Sequence, residues 1–491
     1  MKRLWHILGI AAIALGSSAH IGSPNVYFGG KAGPYAVNVR VVPPTVVPGI
    51  AWVYVRSVDA DIDSVVVRPV FWRAGIKGAP PAERADTVSG EKGLYAQKMW
   101  LMSRGSYSVN VEVFGARGRH SASVPVMAMA TSRLTLSTPF AAMLIAFGLI
   151  LLAGLVAIVR AAASDSLVDP DKEPDQVARR RGSLAALIAV PILLAAVFGG
   201  ARWWKADDSA FERTIYRPLA ANATVATGPR AHLLRLAVRD TGSMELLASP
   251  LMLDHGKPMH LFLVKEQSMS TFAHLHPRRE TGGVFVSAIP ALPAGRYFAF
   301  GEVVLETGAE FTVTTMVDVP AAKIDTLSDP DDSWIADAFG VPAVGGARSS
   351  LGSGLELQWD TPDTLVAGKD VTLRFSVRGA RGAVVPVEPY LGMVAHGIVV
   401  RDDASVFVHL HPMGTMSMAS LQAFELRDRG DTSANGRLND PHAGMAMSEK
   451  EMDGTFSFPY AFPKPGRYRM WVQVKKSGRV LTADYEVIVR H

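Results

Sequence analysis

His274-Leu275-His276-Pro277 and His409-Leu410-His411-Pro412 are two copies of one phrase in the C-terminal half of a 491-residue chain. Each closes a stretch that reads as a β-strand. Side chains alternate faces along a strand, so the two imidazoles of each phrase share a face with their Cβ atoms about 7 Å apart. That separation lets both reach one ion. An upstream histidine precedes each phrase, His260 by 14 residues and His396 by 13. This interval predicts a neighbouring strand that carries a third imidazole to the same face. The C-terminal half therefore reads as one histidine-bearing module, duplicated.

Working outward, residues 217–319 and 350–490 follow one plan. Each opens on an alternating strand, with Leu234, Leu236 and Val238 in the first and Val371, Leu373, Phe375 and Val377 in the second. Each later has a Pro, Gly, Arg, Tyr segment, Pro293 to Tyr297 and Pro465 to Tyr468, that leads into a late strand as in immunoglobulin-like sandwiches. Residues 320–349 read as a linker, with a helical turn around Trp334 to Phe339. The copies differ after the phrase: from His276 to Gly283 is 7 residues, and from His411 to Gly454 is 43. The second copy thus carries a methionine-rich insertion. A third region, 20–134, has the same period of two, in Tyr35, Val37, Val39, Val41 and again in Tyr107, Val109, Val111, Val113. The fold expected is mainly β: three exported immunoglobulin-like β-sandwich domains plus a two-helix transmembrane hairpin.

The hairpin explains a chain that is 48% hydrophobic. Residues 1–19 have the basic start, apolar core and small-residue end of a signal peptide, with cleavage expected after Ala19. Two further apolar runs, 139–159 and 183–200, can each cross a bilayer. The loop between them, 160–182, carries Arg160, Lys172, Arg179, Arg180 and Arg181, which marks it as cytoplasmic. Trp203 and Trp204 then sit at the opposite interface. This arrangement predicts an inner-membrane protein with its N- and C-terminal domains in the periplasm. The net charge of +5 is scattered outside that loop, so no nucleic-acid role is assigned. With no cysteine in the chain, thiolate chemistry and disulfides are both excluded.

Imidazole and thioether together form a ligand set for copper, Cu(I) or Cu(II), whereas zinc has no use for the thioethers. The candidate ligands are His260, His274 and His276 in the first repeat, with His255 nearby, and His396, His409 and His411 in the second. Met413, Met416, Met418, His442, Met445 and Met447 form a candidate loading surface in the insertion. Cleavage after Ala19 would make His20 the N-terminus, whose α-amino group and imidazole can chelate one further ion. The reading is a membrane-anchored protein that buffers copper or delivers it to a periplasmic acceptor or a membrane oxidase. No phosphate loop, nucleophile elbow or zinc-protease helix occurs, and no catalytic residue is assigned. The alternative is an envelope interaction protein without metal, whose sandwiches dock a partner and whose histidines are structural or pH-responsive.

The phrase and its upstream histidine resemble extracytoplasmic YtkA-like or cupredoxin-like modules of bacterial envelope proteins, a resemblance that implies association with copper. The N-terminal domain with a mature His20 is similar in plan to CopC-type copper carriers. The order of β-domain, two membrane helices and β-domain also resembles the copper-containing subunit of particulate methane monooxygenase. That subunit has a His-x-His pair in its N-terminal domain, which this chain lacks.

Overall fold

The computed structural model describes residues 25–57, 62–132, 136–166, 168–169, 172–214, 219–228, 231–241, 243–280, 282–321, 327–361, 364–431, 437–439 and 451–491. The expected signal peptide, and with it His20, lies outside the described residues, as do His442, Met445 and Met447. The chain is mainly β, built from six largely antiparallel sheets. These pair as three sandwiches, which together make one compact unit; two long helices make another.

The N-terminal sandwich has a five-stranded sheet whose long strands are Val26–Ala32, Tyr35–Val42, Gly49–Ser57 and Leu94–Leu101. Its partner sheet is built on Ile62–Phe71, Gly105–Gly115 and Gly118–Ala128. The alternating residues anticipated from sequence point inward: Tyr35, Val37, Val39 and Val41 pack against Val109, Val111 and Val113 in one core.

The second sandwich carries His260 on β1 (His260–Lys265) and His274 on β2 (Phe272–Leu275), in a sheet with β3 (Gly295–Leu305) and β4 (Ser333–Ile335) in the order β3-β1-β2-β4. The third uses β5 (His396–Arg401), β6 (Phe407–Leu410), β7 (Gly466–Lys476) and β8 (Arg479–Arg490), in the order β8-β7-β5-β6. Strand entry is the same in all three sandwiches. A glycine of positive φ (Gly105, Gly295, Gly466) precedes a tyrosine by two residues. The Tyr297 and Tyr468 hydroxyls donate to the carbonyls of Pro293 and Lys464 at 2.6 Å, and the Tyr107 hydroxyl accepts from the Ser103 amide at 2.9 Å. These are the tyrosine corners of sandwich folds.

The two repeats are joined face to face. On β1, Leu261 and Leu263 enter the core of their own sandwich, while Phe262 and Val264 enter a separate cluster with Phe272, Phe300, Ile398, Val400, Phe407 and Trp471. On β5, Val399 faces inward and Ile398 and Val400 face that shared layer. Both faces of these strands are therefore buried, which is why they read as near-continuous apolar runs. His260 continues the outward face of β1 and His396 that of β5, so period two sends both toward the opposing repeat.

Residues 320–349 are not a simple spacer. Ser333–Ile335 pairs with β2 as a strand, in place of the expected helical turn, with His274 opposite Ser333. Val341–Pro342 pairs with β8. The helices are longer than the apolar runs: α1 spans Thr138–Asp165 and α2 spans Gln176–Thr214, continuing through Pro191. Each contains an 18-residue stretch long and apolar enough to cross a membrane, of mean hydropathy 2.9 in α1 and 2.4 in α2. Most of the expected 160–182 loop is thus helical, leaving a short connection between Asp165 and Gln176. The insertion in the second repeat contains α3 (Met418–Arg429), capped by the Ser417 hydroxyl, which accepts from the Ser420 amide.

Candidate metal centre

Face-to-face packing merges the two expected histidine sets into a single buried cluster. His260, His274, His276, His396, His409 and His411 are each no more than 4% exposed. His255 joins them from a tight turn where its φ is 53°. The ring centroids of His260 and His409, from different repeats, lie 5.5 Å apart, and those of His274 and His409 lie 5.8 Å apart. Two separate sites, one per repeat, were expected. Sequence periodicity gives the face on which a side chain lies but not what packs on that face.

Ligand geometry also regroups the histidines. Side-chain nitrogens of His260, His274 and His276 lie within 4.8 Å of one another, as do those of His255, His396 and His411. Either group could hold a metal ion. His255 of the first repeat thus crosses to the set of the second. His409 stands between the groups, with ring centroids 5.2 Å from His396 and 4.4 Å from His411 in addition to its neighbours in the first repeat.

The outward nitrogen of several rings is braced. His276 Nδ1 donates to Asp332 Oδ1 at 3.0 Å, and the same oxygen accepts from the His276 backbone amide at 2.7 Å. His409 Nδ1 donates to Glu302 Oε2 at 2.9 Å, and His411 Nδ1 to the Met416 carbonyl at 3.0 Å. His274 Nδ1 faces Gln473 Oε1 at 2.8 Å and the Tyr390 hydroxyl at 3.1 Å. An acceptor at Nδ1 fixes the tautomer and leaves Nε2 as a lone pair, the form in which imidazole binds metals. The Nε2 atoms of His276, His409 and His411, and both ring nitrogens of His396, are buried without a hydrogen-bond partner. His260 has the converse problem. Its Nδ1 lies 3.0 Å from His274 Nε2 and its Nε2 lies 3.3 Å from the Asp254 carbonyl, but a neutral ring has one N–H for these two acceptors.

Burial, reinforced by neighbouring imidazoles, holds His260, His274, His396 and His409 well below the ordinary histidine range. Burial, then the nearby His255, lowers His411 to about 4. At neutral pH these rings are uncharged and ready to ligate. Carboxylates line the cluster. Burial first, then Glu310 and Asp254, raises Glu302 well above the carboxylate range, and burial raises Glu310 to about 7. The N-terminus of α3 faces this acidic side: the Ser417 amide donates to Glu310 Oε2 at 3.1 Å and the Ala419 amide to Asp254 Oδ1 at 2.9 Å.

The methionines lie elsewhere. Met416 is buried in the core of the N-terminal sandwich and Met413 packs against it, while Met418 begins α3 half-buried. The expected loading surface is therefore, over its described part, a clamp between sandwiches. The Gly29 amide donates to the Met413 carbonyl at 2.7 Å and the Thr415 amide to the Tyr27 carbonyl at 3.1 Å. Gly414 has φ 130°, and a Cβ there would fall 1.8 Å from the Tyr27 carbonyl oxygen, so the position admits only glycine. Because Met416 also braces His411, the N-terminal sandwich helps to position a ligand.

Asp254, Glu302, Asp332, Tyr390 and Gln473 were not anticipated as parts of the site. The signal for two of them was present. Glu302 and Gln473 are polar residues amid the apolar runs of β3 and β7, at matching positions opposite His260 and His396.

A family profile described as a domain of unknown function (DUF8832) matches residues 350–491, the second histidine module. No curated protein matches the chain. Among solved structures, a mutant of Salmonella alpha-2-macroglobulin is similar at 10% identity, over 95% of this chain and 23% of its own, with a TM-score of 0.20. The native conformation of Escherichia coli alpha-2-macroglobulin is similar at 10% identity, over 95% of this chain and 22% of its own, with a TM-score of 0.19. A tetra-tandem repeat from the extending region of a large adhesion protein is similar at 8% identity, over 90% of this chain and 71% of its own, with a TM-score of 0.16. The chain thus spans less than a quarter of the length of the alpha-2-macroglobulins it matches.

Proposed function

We propose that this chain is a membrane-anchored copper-binding protein of the bacterial envelope, in which two immunoglobulin-like repeats clamp the metal between them. One observation carries the reading: the braced rings of His276, His409 and His411 leave three buried, unpartnered Nε2 lone pairs in one cluster. An unsatisfied buried polar atom costs about 1–3 kcal/mol, so an ion that occupies such a cluster removes a standing cost. An all-imidazole donor set leaves the ion to affinity, and the order of divalent affinities puts copper first. Near-complete burial of the ligands favours holding the ion over passing it quickly, and so a buffering role over delivery. The two apolar helices, with Arg160, Lys172, Arg179, Arg180 and Arg181 at the ends and connection they share, support a hairpin through the inner membrane with the sandwiches in the periplasm.

The test is titration of the full-length protein in detergent with Cu(I), Cu(II) and Zn(II), beside a variant with His274, His276, His409 and His411 changed to alanine. Saturable binding is expected in the native protein, with copper preferred, and is lost in the variant. A folded native protein that binds no metal would overturn the proposal in favour of a docking module.

A further inference from the structure

Building on the copper-binding reading, we infer that the cluster is a two-metal centre, with one ion held by His260, His274 and His276, the other by His255, His396 and His411, and His409 between them. Seven imidazoles exceed what one ion of this class takes, since three or four protein nitrogens complete a tetrahedral or trigonal shell. A single ion in the first group would leave His411 Nε2 and both nitrogens of His396 buried and unpartnered. A single ion in the second would leave His276 Nε2 so, and would leave the unmatched His260 pair of acceptors unresolved.

Each group has its own bracing. Asp332 orients His276 on one side and the Met416 carbonyl orients His411 on the other. The groups nonetheless adjoin, with His255 and His260 ring centroids 6.1 Å apart and those of His260 and His409 5.5 Å apart. His409 has ring neighbours in both groups, His260 and His274 in the first and His396 and His411 in the second, and its unpartnered Nε2 can serve either ion. Charge agrees with this count. Asp332 and Glu302 bond ligand rings, and Asp254 lies 3.8 Å from His260 and 3.9 Å from His255. With Glu310 hydrogen-bonded at the start of α3, four acidic side chains line the cluster and would ionise against the charge of two divalent ions.

The experiment loads the full-length protein in detergent with Cu(II), removes loosely held metal by dialysis, and measures metal per chain together with the electron paramagnetic resonance spectrum. His276→Ala and His411→Ala each remove one ligand from one group only. Two tightly held ions are expected in the native protein, with the half-field signal of a coupled pair. Each variant is expected to hold one ion fewer and to show only isolated Cu(II). One ion per chain in the native protein, without a coupled signal, would overturn the two-metal centre while leaving the copper site intact. No tightly held metal would overturn both. Because the native count and spectrum decide the matter alone, misfolding of either variant leaves the inference open to refutation.

Discussion

The two histidine repeats supply the same strands to one site but different side chains. His260 pairs across its sheet with Glu302, and His396 at the matching position pairs with Gln473. Each of these partners reaches over the interface to the other repeat, Glu302 to His409 and Gln473 to His274. The turns before β1 and β5 also correspond. Asp254 and Tyr390 open them through matching bridges, and the next residues, His255 and Leu391, have φ of 53° and 50°. The first repeat thus gives carboxylates and an extra histidine, whereas the second gives neutral hydrogen-bonding groups and the insertion that carries α3. The two repeats give the site a symmetric frame, on which single residues differ.

The largest expected effect concerns what the repeats share. Trp471→Ala, on the second repeat, and Phe300→Ala, on the first, each empty a position in the common apolar layer and should cost about 3–5 kcal/mol. Chemical denaturation should show both sandwiches losing stability in either variant; loss confined to the mutated repeat would contradict a shared core. Next come the braces. Glu302→Gln should lower metal affinity about 10–100-fold, the range for removing a partner that orients a ligand, while Gln473→Glu should raise it. Competition titration against a chelator reads both.

Acid should act through the histidines. Their protonation is suppressed in the folded state, so the stability they contribute is present above the unfolded value of 6.5 and is lost as pH falls through that value. His411, lowered to about 4, accounts alone for roughly 3 kcal/mol by that pH. Glu302 and Glu310 act in the opposite sense, losing stability as pH rises from 4.5 toward 7, but the five shifted histidines outnumber them. Metal-free protein should therefore unfold more readily at pH 5 than at pH 7.5 in thermal scans, and metal should raise the unfolding temperature at both. The smallest effect on the fold tests the turn. His255→Leu makes the first repeat resemble the second and removes one ligand of the second group, so it should lower the metal held by one ion per chain, as His411→Ala does, while leaving the fold unchanged by circular dichroism.

Much of the fold was legible because period two survives wherever one face of a strand is buried, as in Tyr35 to Val41. The six motif histidines were legible for the same reason, since spacing gives a common face. Their convergence was not, because it depends on β1 and β5 packing outer face to outer face. The role of Met413 and Met416 was misread on local polarity: their burial comes from Phe28 and its neighbours, nearly 400 residues away. The 320–349 segment looked like a linker because Asp329 to Asp332 resemble turn residues. Asp332 is instead held by His276 and by the Ser328 and Asp329 amides.

Both repeats are proposed to bind metal at one shared place. Anomalous diffraction at the copper edge from copper-loaded crystals of the full-length protein tests it most directly. Anomalous density is expected between the repeats, against the His260, His274 and His276 group and against the His255, His396 and His411 group. Density on either repeat away from that interface, or confined to residues 413–447, would contradict it.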